Sequence, residues 1–547
     1  MSIPCIARIL VVDNDPRVRR DLKEILGFSG HRVEAVEGVG PALLANAQDQ
    51  AKKLRPHVVI MDLRSVDDAD LGDRSGLDLL EQSVFSSARC ILHSAYLQDF
   101  RITVEAFQKA GVDGVVGKQE SPQCLLEAVE GSARKGCACR RGLRLEWPTA
   151  WNPQRVVDVL FGAGSDVPAD IVNDVLGRLL SDAHVLTLQP LEGAAVSPLP
   201  MARGRSVLLR ASPDDREPRV VKLAPEEKTI REVTAYEQYV KDRLRGLFHA
   251  HMQAHVTFWD VGGICYSFIG SSLNTIESFA TFYARKKDPE AILKPLRQFF
   301  GEVWHMHYQT SRTQLEETLF DAYDRFLKLR HRLAQLPARD RKIRFTGLDA
   351  ELPNPVHWVL HHQAESRVPT AYLAVTHGDL HGDNLFAEDD HAWAIDFERT
   401  GEGPILRDFV ELEQDIITRI AVFPEQDWPL FYEFVKALCA PAFPDKPLRS
   451  TPRLRANPEA RKAMKTIGLL RQLAREVTGY QDMREYYWGL LLDALVGSAL
   501  SVKGSTTQQR GLLLAAVLCD RLEHWNTRPP PSGYPSLAKS VSASSTR

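Results

Sequence analysis

From Arg8 the chain alternates short apolar runs with amphipathic stretches: ARILVVD, VRRDLKEILGFSG, HRVEAV, PALLANAQDQAKKL, HVVIMDL, GLDLLEQSV, ARCILHSAY, TVEAFQKAG, DGVVGK and SPQCLLEAVEGSARKG. The runs ILVV and HVVIM are apolar at nearly every position rather than at every second one. That is the pattern of strands buried on both faces of a parallel sheet, with helices as crossovers. Five such β-α units predict a doubly wound α/β domain over residues 1–135.

Residues 136–183 read as a connector: a basic segment, KGCACRRGLRLEWPTAW, then a helix expected from about Pro168 to Asp182. Over 184–270 the pattern turns strand-like, in the order strand, strand, strand, helix, strand, strand. Over 271–526 it is mostly helical, interrupted by the short runs AYLAVTHGDL and HAWAIDFE. A small β-rich lobe therefore precedes a large helical one. The segment 527–547, rich in Pro and Ser, lacks the apolar surface needed to offset ordering entropy and is expected to be disordered.

The 547-residue length fits several structural units, and a net charge of -3 gives no global attraction to nucleic acid. The eight cysteines form no Cys-x-x-Cys pair, so reduced thiols are expected. His249, His251 and His255 sit before a strand and read as a solvated loop, so no transition metal is assigned. The N-terminus lacks a basic segment followed by a long apolar one, and no run of about 18 apolar residues follows. A cytoplasmic protein with no membrane partner is the expectation.

Two acidic segments begin where apolar strands end: THGDLHGDNLF from Thr376 and AIDFERTGEGPILRDF from Ala394. Phosphoryl transfer needs a carboxylate beside the attacking hydroxyl and oxygen ligands that hold Mg²⁺ against the nucleotide phosphates. The pattern His-Gly-Asp, an Asn five residues after the Asp, and a downstream Ile-Asp-Phe-Glu resembles the aminoglycoside phosphotransferase and choline-kinase superfamily, over roughly Leu188 to Asp415. The resemblance implies a two-lobed α+β protein-kinase-like fold that transfers the γ-phosphate of ATP to a hydroxyl acceptor. It makes Asp379 the catalytic base, His377 the residue orienting its loop, Asn384 and Asp396 the Mg²⁺ ligands, and Asp408 a structural acid bracing the loop. It also makes Lys222 the residue holding the nucleotide phosphates, Glu232 its ion-pair partner in preference to Glu237, and Ile269 part of a hinge that meets the adenine. The phosphate loop departs from the pattern: Gly193 and Gly204 are present, but no Gly-x-Gly-x-x-Gly.

The N-terminal units resemble a flavodoxin-like response-regulator receiver domain over roughly Ala7 to Ser132. Asp13, Asp62, Ser94 and Lys118 each end a predicted strand, which places all of them at the carboxyl edge of one sheet. The resemblance implies that Asp62 accepts a phosphoryl group, that Ser94 and Lys118 contact its oxygens, and that acids after the first strand hold Mg²⁺. Asn14 stands at the second of those acidic positions, which weakens the metal site unless Asp15 substitutes. An insertion, Ser65 to Ser75, follows the acceptor, and Gln119 and Val115 depart from the residues usual in the family.

The leading expectation is thus a multidomain phosphotransferase acting on an unidentified small-molecule or protein hydroxyl, using ATP and Mg²⁺, and regulated by a fused receiver whose partner is a histidine kinase or another signalling protein. A second reading is a nucleotide-binding pseudokinase and receiver that assemble a bacterial signalling complex; kinase-like domains of ternary-complex-associated type are similar in layout. A third takes the basic run Arg449 to Arg475 as a nucleic-acid patch, although no helix-turn-helix pattern accompanies it.

Overall fold

The computed structural model describes residues 6–67, 69–70, 72–95, 112–136, 143–191, 206–214, 217–244, 250–267, 277–338, 340–444 and 446–525. The chain divides into two compact units, residues 1–233 with 251–268 and residues 234–250 with 269–547.

The first unit opens with the strands β1 (Arg8–Val12), β2 (Arg32–Ala35), β3 (Val58–Met61), β4 (Arg89–Ser94) and β5 (Val112–Gly117). They form one parallel sheet in the order β2-β1-β3-β4-β5. The helices α1 (Pro16–Phe28), α2 (Pro41–Leu54), α3 (Ser75–Leu80) and α4 (Pro122–Gly136) supply described crossovers and the closing helix. Alternate residues of β1 serve opposite cores: Ile9 and Val11 pack with Leu22, Leu26 and Val129, while Leu10 and Val12 join Leu43 and Ala47. Burial on both faces is the physical reason the strands are apolar throughout. The helical stretch TVEAFQKAG lies outside the described residues.

The second sheet of this unit runs β10-β11-β9-β8-β7-β6, with β6 (Arg144–Glu146), β7 (Val185–Pro190), β8 (Val207–Pro213), β9 (Arg219–Pro225), β10 (Met252–Phe258) and β11 (Val261–Tyr266). β6 joins β7 in parallel and the other pairings are antiparallel. The helix between β9 and β10 is α7 (Glu226–Ala235). The segment read as a connector therefore does more than connect. It contributes the edge strand β6 and two helices, α5 (Pro153–Phe161) and α6 (Asp170–Leu179), where one helix was expected.

The boundaries expected at 135 and 183 do not separate cores. One apolar cluster runs from Leu10, Val59 and Leu92 through Trp151, Leu160 and Leu176 to Leu186, Val221 and Phe258. A buried polar seam accompanies it. Arg8 bonds Asp170 at 2.9 Å and Asp174 at 2.8 Å, and His57 Nε2 lies 3.0 Å from Asp174. Arg55 meets Asp260 at 2.9 Å, and the indole N–H of Trp259 donates to the carbonyl of Pro56 at 3.1 Å.

In the second unit, β12 (Tyr372–Thr376) pairs antiparallel with β15 (Gly401–Pro404), and β13 (Leu385–Glu388) with β14 (His391–Ala394). These two short ladders flank the segments 377–384 and 395–400. The helices of this unit include α8 (Pro289–Gln298), which packs against β14, with α9 (Arg407–Asp415), α10 (Pro458–Thr478), α11 (Met483–Leu500) and α12 (Thr506–Glu523). α11 is buried on every side from Tyr486 to Leu495 and packs against both α9 and α12. It reads as a largely apolar segment, interrupted by Asp493, for that reason. No helix among the described residues is long and apolar enough to cross a membrane. The segment 527–547 lies outside the described residues.

Candidate functional site

At the carboxyl edge of the parallel sheet, Lys118 Nζ lies 2.8 Å from Asp13 Oδ2 and 2.8 Å from Asp62 Oδ2. Both carboxylates are almost wholly buried, with side chains 2% exposed. Burial pulls the Lys118 ammonium down, but the two carboxylates outweigh it and hold its pKa above the usual lysine value. Burial raises Asp13, outweighing its bonds to Lys118 and to the Asp15 N–H. Ser94 is buried at the end of β4, and its carbonyl accepts the Lys118 N–H at 3.0 Å.

Asp15 is committed elsewhere: it is the N-cap of α1 and accepts the Arg17 N–H at 2.8 Å. Asn14 follows Asp13, and its Oδ1 is buried with no hydrogen-bond donor among the described residues. Carboxylate and amide oxygens of the kind carried by Asp13, Asp62 and Asn14 are donors that a hard cation such as Mg²⁺ takes. The insertion after Asp62 folds over Asp73, which accepts the N–H groups of Val66 and Asp67 at 3.0 and 2.8 Å. It returns at Gly76, where an added Cβ would lie 1.8 Å from the Asp62 carbonyl oxygen, so only glycine fits against the Asp62 backbone.

In the second unit, one helix face fixes the loop 377–384. Asp408 of α9 accepts the N–H groups of His377 and Gly378, each at 2.9 Å, and the hydroxyl of Tyr308 at 2.7 Å. One turn on, Glu411 accepts the Leu380 N–H at 2.9 Å; another turn on, Asp415 accepts the Gly382 N–H at 2.8 Å. The spacing 408, 411, 415 is i, i+3, i+7, which puts the three acids on one face. Arg407 ties the same loop by donating to the Gly378 carbonyl and to Glu411 Oε1. Gly378 is a steric requirement, with φ +80° and an added Cβ 2.4 Å from the Arg399 carbonyl, whereas a Cβ on Gly382 would meet the tip of the Ile420 side chain at 2.6 Å and ask that side chain to move.

His377 is fully buried, between Trp304 and Phe397, with Nε2 3.1 Å from the Ile395 carbonyl. Burial pushes its pKa down, so the ring is neutral and donates from Nε2. It positions the loop and does not reach solvent. Asp379 is different: its side chain is 29% exposed, and Arg399 Nη1 lies 3.1 Å from Oδ1. Desolvation would raise this carboxylate, but Arg399 and His381 outweigh it and hold the pKa below the usual aspartate value. Asn384 donates through Nδ2 to the Asp379 carbonyl at 2.9 Å, leaving its Oδ1 as an acceptor. Asp396 follows β14 with a left-handed φ of 70°. An amide oxygen and a carboxylate are the donors Mg²⁺ takes in phosphoryl-transfer sites.

In the first unit, Lys222 Nζ lies 2.5 Å from Glu232 Oε2, with both residues buried, and Tyr266 donates to Glu232 Oε1 at 2.5 Å. Glu237 instead faces Lys241 at 4.0 Å on an exposed surface. Ile269 and both glycines of the expected phosphate loop, Gly193 and Gly204, lie outside the described residues. Sequence reasoning missed Arg399, Arg407, Glu411 and Asp415. The available signal was the acidic stripe Asp408, Glu411, Asp415 at helical spacing directly after the second motif.

Residues 322–500, which contain the loop 377–384 and all of α9, match the family described as ternary complex associated domain 9. The chain is 30% identical over 128 residues to the nitrate/nitrite response regulator protein NarP of Escherichia coli strain K12, an alignment covering 23% of this chain and 55% of that protein. The chain thus spans about half the length of the curated relative it matches. Similar solved structures include a CheY-like receiver domain protein from Methanospirillum hungatei JF-1 (22% identity, 24% of this chain and 96% of that one, TM-score 0.20). Another is the BeF3-activated DrrB receiver domain (23% identity, 24% and 98%, TM-score 0.19). The N-terminal region of this chain is a response-regulator receiver domain.

Proposed function

We propose that the chain is an ATP- and Mg²⁺-dependent phosphotransferase of the aminoglycoside/choline-kinase type, regulated by its receiver domain. The observation that carries this reading is the placement of Asp379: a part-exposed carboxylate held ionised, on a loop whose backbone is pinned by Asp408, Glu411 and Asp415. Pinned geometry at a reacting group is what phosphoryl transfer asks of a protein, since positioning and electrostatics supply most of the rate. Asp379 accepts the proton of the acceptor hydroxyl as its oxygen bonds to the γ-phosphorus and the bond to the β-γ bridging oxygen breaks, releasing ADP. Mg²⁺ bound through Asn384 and Asp396 would offset the phosphate charge. Lys222, oriented by Glu232, would hold the α- and β-phosphates. Phosphorylation of Asp62 by a histidine kinase or another signalling protein would set the output.

The test is transfer of labelled γ-phosphate from ATP to hydroxyl compounds and copurifying proteins, wild type against Asp379→Asn. Transfer that disappears in the variant supports the reading; transfer that persists unchanged sinks it. The ion pair of Asp379 with Arg399 favours a second reading, a nucleotide-binding adaptor, because an arginine-bound carboxylate is a weaker base. ATP binding with no transfer to any acceptor would establish that alternative.

A further inference from the structure

The proposed phosphoryl transfer makes no use of the basic run on α10. A cavity of about 350 Å³ opens between the face of α10 carrying Arg461, Met464, Lys465 and Leu469 and the preceding segment that carries Leu448 and Arg455. The helical residues recur at i, i+3, i+4 and i+8, so they form one wall. The apolar lining comes from Leu448, Met464 and Leu469; the polar lining comes from Arg455, Arg461 and Lys465, with Ser450 and Gln472; among the described residues no acid lines it.

Three neighbouring cations outside the lining are ion-paired. Arg453 meets Asp427 at 2.6 Å, Lys462 meets Glu459 at 3.0 Å and Arg471 meets Glu413 at 2.5 Å. Arg455 and Arg461 have no carboxylate within 4.0 Å among the described residues, and Lys465 reaches Glu290 only at 4.0 Å. Arg455 is nevertheless fixed, by donating to the Ser450 carbonyl at 2.7 Å.

We infer that this cavity binds a small organic phosphate of nucleoside-monophosphate size, its phosphate on Arg455, Arg461 and Lys465 and its apolar part against Leu448, Met464 and Leu469. Charge decides for phosphate over carboxylate. A phosphate monoester brings close to two negative charges and three acceptor oxygens, a better match for three cations lining one cavity than a carboxylate's single charge. The volume falls in the range of small-molecule sites, from about 300 to 1,000 Å³. The walls supply no aromatic platform for successive bases, which argues against single-stranded nucleic acid as the occupant.

The test uses the full chain, calorimetric titration with AMP, adenosine and inorganic phosphate, and a paired variant, Arg455→Gln with Arg461→Gln. AMP should bind more tightly than either fragment, weaken as salt rises, and lose about tenfold or more in affinity in the variant. AMP should also protect Arg455 and Arg461 from phenylglyoxal, read residue by residue by mass spectrometry, which separates this cavity from any other nucleotide site. Equal modification with and without saturating AMP would overturn the assignment, as would a short oligonucleotide binding here when AMP does not. Both exchanged side chains are exposed, so the variant should keep the wild-type unfolding midpoint.

Discussion

Arg399 holds the carboxylate of Asp379 at 3.1 Å on a surface that both side chains share with solvent. Its effect should appear in pH dependence rather than stability. Arg399 and His381 keep the Asp379 pKa below its ordinary value against desolvation. In Arg399→Ala that pKa should rise, and the acid limb of any phosphotransfer profile should move to higher pH. The unfolding free energy should change by less than about 1 kcal/mol, because the pair is part-exposed and solvent-screened. Rates measured from acid to neutral pH, with denaturant melts of the same protein, check both halves.

Asp408 calls for the opposite expectation. It is fully buried and accepts two N–H groups and a hydroxyl. Asp408→Asn replaces one acceptor oxygen with an NH₂ group and strands a buried donor. The expected loss is about 1–3 kcal/mol, together with transfer activity. Asn384→Ala removes a single bond to the Asp379 carbonyl and should cost less stability.

The loop motif, the Ile-Asp-Phe-Glu turn and the receiver acids could be read from the chain because each is a local cluster at a strand end. The acids that pin the loop were harder to see. Glu411 and Asp415 look individually like solvated helix residues, and only contact with the Leu380 and Gly382 amides, 31 and 33 residues upstream, gives them a role. The seam of the first unit was invisible for the same reason: Arg8 and Asp174 are 166 residues apart. Nothing in the local pattern of either residue anticipates the other. The short segments β6, Arg-Leu-Glu, and α5 offer too few positions to distinguish from linker by periodicity.

Gly76 tests the receiver site. An alanine there would place Cβ 1.8 Å from the Asp62 carbonyl oxygen and 2.9 Å from its carbon, both backbone atoms that a rotamer change cannot move. Gly76→Ala should displace the acceptor loop and reduce labelling of Asp62 by a small acyl phosphate about tenfold or more. Intact-mass measurement after incubation with the donor reads this directly, with Asp62→Asn as the unlabelled control.

His307 supplies a pH prediction for the second unit. Burial pushes its imidazole from the ordinary 6.5 down to about 4, and the Tyr239 backbone opposes this only in part. Below 6.5 the unfolded chain takes up a proton that the folded chain refuses, so stability is present above that pH and is lost as pH falls toward 4. The slope approaches about 1.4 kcal/mol per pH unit for one such group. His307→Gln should flatten the curve by that amount relative to wild type. Denaturant melts at a series of pH values between neutral and acid give the difference.

Asp174 decides whether the receiver domain and the second sheet behave as one folding unit. Its carboxylate, 2% exposed, takes Arg8 at 2.8 Å and His57 Nε2 at 3.0 Å. The Arg8 N–H donates to His57 Nδ1 at 2.9 Å, which leaves the hydrogen on Nε2, so the imidazole is a neutral donor to Asp174. Phe258 stacks on the same ring with centroids 5.2 Å apart. Asp174→Ala leaves Arg8 with Asp170 as its one carboxylate among the described residues and takes away the partner of the His57 Nε2, so the cost should approach but not exceed the roughly 3–5 kcal/mol of breaking a buried pair outright. Desolvation raises the Asp174 pKa, but His57 and Arg8 outweigh it, so the contribution is present above the ordinary aspartate value and fades as pH falls below it. Because one apolar core joins the receiver helices to β7, β9 and β10, hydrogen exchange should accelerate together at Val59 and Leu92 in one sheet and at Leu186 and Val221 in the other. Faster exchange confined to the receiver strands would show instead that the two sheets unfold separately.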